Sequence, residues 1–197
     1  MRDNETFRLF LAIDPPEESN REIARIQERL QKLVSGDVRW VKPGGFHLTL
    51  KFFGNVPATE IEQISAASRK AAATAAPFTL SLRGLGTFPS ARHPRIIYLG
   101  MEGDTKRLAA FQAELEQELA TRGFPMEERP FLPHLTLARI KSLPESDGLH
   151  RELSAGGAYE AEPFTASELC LFKSELAPGG AIYTKLAAFP FAGSAEK

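Results

Sequence analysis

The side chains best suited to moving protons in this chain are its histidines. There are four, and two stand in a verbatim repeat: His47-Leu48-Thr49-Leu50 recurs as His134-Leu135-Thr136-Leu137. With ordinary residue usage, chance recurrence is on the order of one in several hundred or rarer. Histidine titrates near neutral pH, so a pair held together can sit one neutral and one protonated. The neutral ring accepts a proton from water while the charged ring donates one to a leaving oxygen. Threonine hydroxyls can donate to phosphoryl oxygens as charge builds there. Two imidazoles and two hydroxyls therefore suit hydrolysis of a phosphodiester. A metal centre is not expected: the pair has no nearby carboxylates or thiolates, and closed zinc sites take four protein ligands, catalytic ones usually three. The bland alternative is a half-exposed strand pattern, since threonine favours strands. A packing role, however, does not require the same polar pair twice.

Successive side chains of a strand point to opposite faces. Phe46, Leu48, Leu50 and Phe52 would then share a core face, and His47, Thr49 and Lys51 the other. The second copy sets Leu135 and Leu137 against His134 and Thr136. Each strand presents an imidazole and a hydroxyl about 7 Å apart along one face. Two lobes packed about a pseudo-twofold axis would bring both pairs to one cleft.

The surrounding elements fit such an arrangement. Phe7 to Ile13 reads as a strand, with Asp14 placed to cap the following helix and Pro15-Pro16 suited to its first turn. Ile23, Ile26, Leu30 and Leu33 form that helix's apolar stripe, and Gly36 stands where a C-terminal cap belongs. Val38 to Val41 and Phe46 to Phe53 read as strands. Thr59 with Glu62 resembles a capping box opening an Ala-rich helix that Pro77 closes. Phe78 to Leu82 and Arg95 to Leu99 read as strands joined by a long Gly/Pro/Arg loop. Asp104 to Arg122 is a helix with Leu108, Phe111, Leu115 and Leu119 on one face. Pro133 to Ile140 is a strand, a short helix lies around Leu149 and Leu153, and Leu169 to Phe172 and Ile182 to Ala187 are the last strands. Gly193 to Lys197 reads as a loose tail. The expected fold is α+β, with two pseudo-symmetric lobes around a central cleft, each a mainly antiparallel sheet with outer helices. No linker separates them, so residues 1–197 are expected to form one domain.

Composition narrows the setting. No apolar stretch approaches the roughly 18 residues of a membrane helix, and the run from Leu9 to Ile13 is too short for a signal-peptide core. The single cysteine, Cys170, lies in an apolar strand and reads as buried and inert. A cytoplasmic location is the default. Net charge is −1, so the molecule as a whole is not basic. Its charges are uneven, however. Acid-free stretches carry Arg39, Lys42 and Lys51, then Arg69, Lys70, Arg83, Arg92 and Arg95, while Arg129, Arg139 and Lys141 are the only charges from Arg129 to Pro144. Taken singly these are solvated faces. Together they suggest one electropositive face suited to an anion. Of the remaining candidates, His93 reads as a solvated loop residue, His150 as surface, and Trp40 and Tyr183 as core rather than base-stacking platforms.

On these motifs the sequence resembles the two-histidine phosphoesterases, which carry one His-x-Thr-x motif per lobe. Arg8-Leu9-Phe10 leading to Asp14-Pro15-Pro16, Arg39-Trp40-Val41, Leu85-Gly86-Thr87-Phe88-Pro89 and the stretch from Arg129 to Arg139 resemble the RNA 2′,3′-cyclic phosphodiesterase branch, also called the 2′-5′ RNA ligase branch. The resemblance runs from about Phe7 to Phe191. It implies metal-independent hydrolysis of RNA 2′,3′-cyclic ends to a 2′-phosphate, with no cofactor, and reversible ATP-independent 2′-5′ ligation in some members. It further implies His47 as proton donor, His134 as proton acceptor, and Thr49 and Thr136 as phosphate holders. Phe52 and Arg139, five residues after each histidine, would contact substrate. Strict alternation turns both away from the histidine face, so each requires a strand end or bulge to reach the cleft. Leu171 to Leu176 departs from the Tyr-Arg-Ser usual near that point. The implied partner is RNA, met by a monomer away from membranes. The competing reading is a non-catalytic RNA-end or nucleotide binder on the same fold, which would not need two proton-transfer groups.

Overall fold

The computed structural model describes residues 5–143, 148–154, 159–177 and 180–192. The tail expected from Gly193 to Lys197 lies outside them. The elements are β1 (Thr6–Ile13), α1 (Glu17–Gln31), β2 (Asp37–Trp40), β3 (Leu48–Pro57), α2 (Ile61–Thr74), β4 (Phe78–Phe88), β5 (Ile96–Gly103), α3 (Thr105–Ala120), β6 (His134–Ser142), α4 (Gly148–Ser154), β7 (Glu160–Ala166), β8 (Glu168–Ala177) and β9 (Gly180–Pro190). The fold is α+β, as the sequence implies.

All strands join one nine-stranded sheet in the order β7-β4-β5-β6-β3-β1-β8-β9, with β2 added beside β6. Every pairing is antiparallel. The order reads as two similar halves. In one, the strand carrying the first repeat, β3, pairs with β1, then β8, then β9. In the other, the strand carrying the second repeat, β6, pairs with β5, then β4, then β7. The halves meet at a single register pair, Leu48 with Leu135, the residues that follow the two histidines. The pseudo-twofold relation therefore passes through the repeats themselves. Both leucines are fully buried, and each contributes about 1.5–3 kcal/mol by leaving water.

Helices cover the apolar side of the sheet. Helix α2 packs on α3 and on β8 and β9, α3 reaches β4, and α1 lies against β7. Ile23 and Leu30 of α1, Ile64 and Ala71 of α2, and Leu108, Leu115 and Leu119 of α3 are buried with Leu50 and Leu137. Among the described residues no helix is long and apolar enough to cross a membrane.

Several local expectations are corrected. No side chain caps α1, and Asp14 instead takes the Lys185 ammonium at 2.8 Å. That helix ends at Gln31, so Gly36 is not its cap; its φ of 118° serves the turn into β2. The Thr59–Glu62 box does not form either. Thr59 lies in a 3₁₀ turn (Ala58–Glu60) ahead of an uncapped α2, and Glu62 pairs with Arg69 at 3.2 Å. Strand β4 runs on to Phe88, through much of the expected loop, because its glycines accommodate a register shift against β5. Strand β7 has no counterpart among the expected elements: its Pro163 and two acids, Glu160 and Glu162, give it no strand pattern, yet at the sheet edge proline leaves no ladder bond unmade.

Candidate active site

Both repeats carry the same irregularity. Across β1 and β3 the register runs Ala12↔Thr49 and then Leu11↔Lys51, leaving Leu50 as an extra residue. Across β5 and β6 it runs Tyr98↔Thr136 and then Ile97↔Ala138, leaving Leu137 extra. A bulge thus follows each threonine and reverses the alternation beyond it. Leu50 and Lys51 both turn inward, as do Leu137 and Ala138. Phe52 and Arg139 come out on the histidine side. This corrects two expectations from alternation: Phe52 does not belong to the core, and Lys51 does not share the histidine face.

The four repeat residues line one cleft of about 430 Å³, together with Phe52 and Arg139. The register set by Leu48↔Leu135 brings His47 opposite Thr136 and Thr49 opposite His134. Each imidazole is thereby matched to the hydroxyl of the other repeat. Neither threonine hydroxyl is engaged by another described residue, which leaves both for a ligand.

The histidines are oriented alike. His47 Nδ1 lies 2.9 Å from the Gly45 carbonyl oxygen, and His134 Nδ1 lies 2.7 Å from that of Leu132. A carbonyl only accepts, so each Nδ1 carries hydrogen and each Nε2 is the atom free for proton transfer. Gly44, at φ 79°, turns the chain so that the Gly45 carbonyl meets the ring. Aromatic edges hold the ring planes. His47 is buried and meets Phe172, Tyr183 and Phe10 edge-on at centroid separations of 4.3, 5.1 and 5.5 Å. His134 meets Phe88 at 5.0 Å and Tyr98 at 5.4 Å. Gly86 leaves the space that the Tyr98 ring fills.

Burial pushes the His47 imidazole below its ordinary pKa. The Asp14 carboxylate and the Gly45 carbonyl pull it back up, and the Lys185 ammonium lowers it. Asp14, Lys185 and Glu168 form a charged cluster behind the ring, with Lys185 3.4 Å from Glu168. Cys170 lies buried beside it, and burial first, then Glu168, pushes its thiol up to about 12, which keeps it inert.

Lys51 lines the cleft floor but turns its ammonium inward, where it ties the two halves together. Its ammonium is buried, 2.8 Å from Glu116 of α3, and donates to the Pro125 carbonyl at 2.6 Å. Glu116 also accepts from the Glu127 amide and from Gln112. The network anchors the segment that leads to His134.

The other basic residues divide. Arg139 lines the cleft, whereas Arg83 is engaged by Glu102 and Glu160. Sequence reasoning missed Arg8, Phe10, Ser174 and Tyr183 as cleft residues. Arg8 lies 4.5 Å over the Phe52 ring. Tyr183 packs against the buried cluster of Phe10, Ala12, Cys170 and Phe172, as expected of a core residue, and also walls the cleft beside His47. Trp40 likewise packs against the core. Among the described residues, no group of three or more His, Cys, Asp or Glu is placed to hold a metal ion.

A fold of two half-sheets meeting at paired His-x-Thr strands defines a two-histidine phosphoesterase. The chain belongs to the LigT-like phosphoesterase family, whose model matches it twice, over residues 13–98 and 99–183, one repeat in each. An RNA 2′,3′-cyclic phosphodiesterase of Methanothermobacter thermautotrophicus is 36% identical over 182 residues, covering 92% of this chain and 97% of the relative. TT0787 of Thermus thermophilus superposes with a TM-score of 0.73 at 31% identity, covering 95% of this chain and all of that one. E. coli LigT complexed with 3′-AMP gives a TM-score of 0.72 at 27% identity, covering 95% of this chain and 99% of that one.

Proposed function

We propose that the protein hydrolyses the 2′,3′-cyclic phosphate at the 3′ end of RNA to a 2′-phosphomonoester without a metal ion. The carrying observation is the pair of Nδ1–carbonyl bonds, which leave both Nε2 atoms free in a cleft with two unengaged hydroxyls. Relatives named RNA 2′,3′-cyclic phosphodiesterase support the choice of substrate.

In this reading Thr49 and Thr136 donate to the non-bridging phosphoryl oxygens. His134 Nε2 takes a proton from water as the water oxygen bonds to phosphorus. The bond from phosphorus to O3′ breaks, and His47 Nε2–H delivers its proton to O3′. The Leu132 and Gly45 carbonyls hold the rings and stabilise whichever imidazolium forms. His47, acidified by burial, is a strong donor once protonated, and the bound phosphate anion favours that protonation. Phe52 and Arg139 contact the substrate beyond the phosphate. With a 5′-hydroxyl in place of water, the same steps would join two RNA ends through a 2′-5′ linkage. Both histidines come from one chain, so residues 1–197 act as a single bilobal domain and a monomer suffices. A cytoplasmic setting goes with an RNA substrate and a buried, unpaired cysteine.

The test is an RNA oligonucleotide ending in a 2′,3′-cyclic phosphate, incubated with protein in EDTA. Turnover should persist, and His47→Ala and His134→Ala should each lower it by about 10²-fold or more. Complete loss in EDTA, restored by a divalent ion, would overturn metal independence. Near-normal turnover in either variant would overturn the paired acid–base assignment.

A further inference from the structure

The short strand β2 pairs with β6, and its register sets Arg39 directly opposite Arg139. The neighbouring pairs fix which way the two arginines face. Val38 pairs with Ile140 and Trp40 with Ala138. Ala138 and Ile140 are buried, and Val38 and Trp40 pack against the same core. By alternation the two arginines stand on the other face, where both are exposed. Arg139 there lines the cleft with His134 and Thr136.

Like charges facing each other across adjacent strands repel. Neither guanidinium makes an ion pair or hydrogen bond with a described residue. The same two strands do pair charge elsewhere, for Lys141 meets Asp37 at 3.4 Å. Arg95 adds a third cation at this edge, its guanidinium donating to the Lys141 carbonyl at 2.9 Å. The equivalent place in the other half holds Phe52, an aromatic face under Arg8. The pseudo-symmetric cleft is thus chemically polarised, with paired cations on one side only.

We propose that Arg39 and Arg139 form a second anion subsite that takes an internal phosphate of the RNA, on the 5′ side of the reacting nucleotide. The proposal rests on the phosphodiesterase reading of the histidine cleft. The reacting group is the 3′ end of the substrate, so every further phosphate lies 5′ to it. Two adjacent guanidinium forks offer the donor geometry that phosphate oxygens accept. Arg139 follows Thr136 by three residues, but the bulge at Leu137 makes these two ladder steps, from Tyr98 to Ile96 on β5, or about 7 Å along the strand. That places the subsite beyond the cyclic phosphate, with Arg139 on the cleft wall and Arg39 beside it on β2. Arg39 is the new member: nothing in the repeats points to it, and only the β2–β6 register brings it beside Arg139.

The test compares wild type, Arg39→Gln and Arg39→Lys on three substrates. These are a short oligonucleotide with a 2′,3′-cyclic end, a nucleoside 2′,3′-cyclic phosphate carrying a 5′-phosphate, and the same compound without it. Arg39→Gln should lower kcat/KM on the first two by about tenfold, the worth of one charge-assisted contact. Its loss on the third should be several-fold smaller, and Arg39→Lys should recover most of the activity. The slope of log kcat/KM against log salt on the oligonucleotide should flatten by about 0.7 in Arg39→Gln. Equal losses on all three substrates, or no loss on any, would overturn the subsite. Wild type inactive on all three would overturn the phosphodiesterase reading instead. The subsite would then be decided by fluorescence anisotropy with a labelled 3′-phosphorylated oligonucleotide. Weaker binding by Arg39→Gln with a flatter salt dependence would sustain it, and unchanged binding would remove it.

Discussion

Lys51→Met should destabilise the protein severely, although the lysine touches no substrate in the proposed mechanism. The ammonium and the Glu116 carboxylate are 2.8 Å apart with side-chain exposures of 4% and 6%. Removing the lysine leaves that carboxylate buried with only two neutral donors, the Glu127 amide at 3.2 Å and Gln112 at 3.3 Å. Breaking one side of a buried pair costs about 3–5 kcal/mol. In a chain of this size each kcal/mol moves Tm by about 2–4 °C, so a drop of about 6–20 °C is expected. Pairing Lys51→Met with Glu116→Gln should recover part of the loss, because no uncompensated charge remains. Calorimetry of the four proteins in the cycle measures both quantities. The bond to Pro125 also steadies the approach to His134, so folded Lys51→Met should turn over more slowly. A stability loss below about 1 kcal/mol, typical of an exposed pair, would refute the reasoning.

Three further outcomes are expected. Thr49→Val and Thr136→Val keep the side-chain shape and remove one donor each, and each should cost about 2–4 kcal/mol in kcat/KM if the hydroxyls act as oxyanion donors. By NMR titration, His47 in the free protein should titrate below the ordinary value of about 6.5; a bound phosphate should raise it, since a nearby anion favours the imidazolium. Lys185→Met should raise it too, because the ammonium that lowers it is gone and Asp14 loses its counter-ion; an unchanged or lower value would show that the cluster behind the ring does not act on it.

The repeat was legible because it holds two of the chain's four histidines and its spacing is that of a strand. Strand alternation holds for His47, Thr49, His134 and Thr136, which precede the bulges. It fails at Lys51 and Phe52, since a bulge is a property of the pairing with β1 and leaves no mark in a run such as Leu-Lys-Phe-Phe. Capping patterns at Asp14 and Thr59 failed for a related reason. A local hydrogen bond competes with tertiary partners, and Lys185 displaces a helix end as the partner of Asp14. Tyr183 was legible as core because it lies in a mostly apolar strand, but only the folding of β8 and β9 beside β1 brings it to His47 as well. Arg39 showed as one basic residue among many until the β2–β6 register set it beside Arg139.

The chemistry itself has one direct readout. An oligonucleotide ending in a 2′,3′-cyclic phosphate can be followed by ³¹P NMR with the protein in EDTA. The cyclic-phosphate resonance should give way to a 2′-phosphomonoester, with no conversion by a protein carrying both His47→Ala and His134→Ala. A persistent cyclic resonance with wild type, a 3′-phosphomonoester product, or conversion by the double variant would contradict the account.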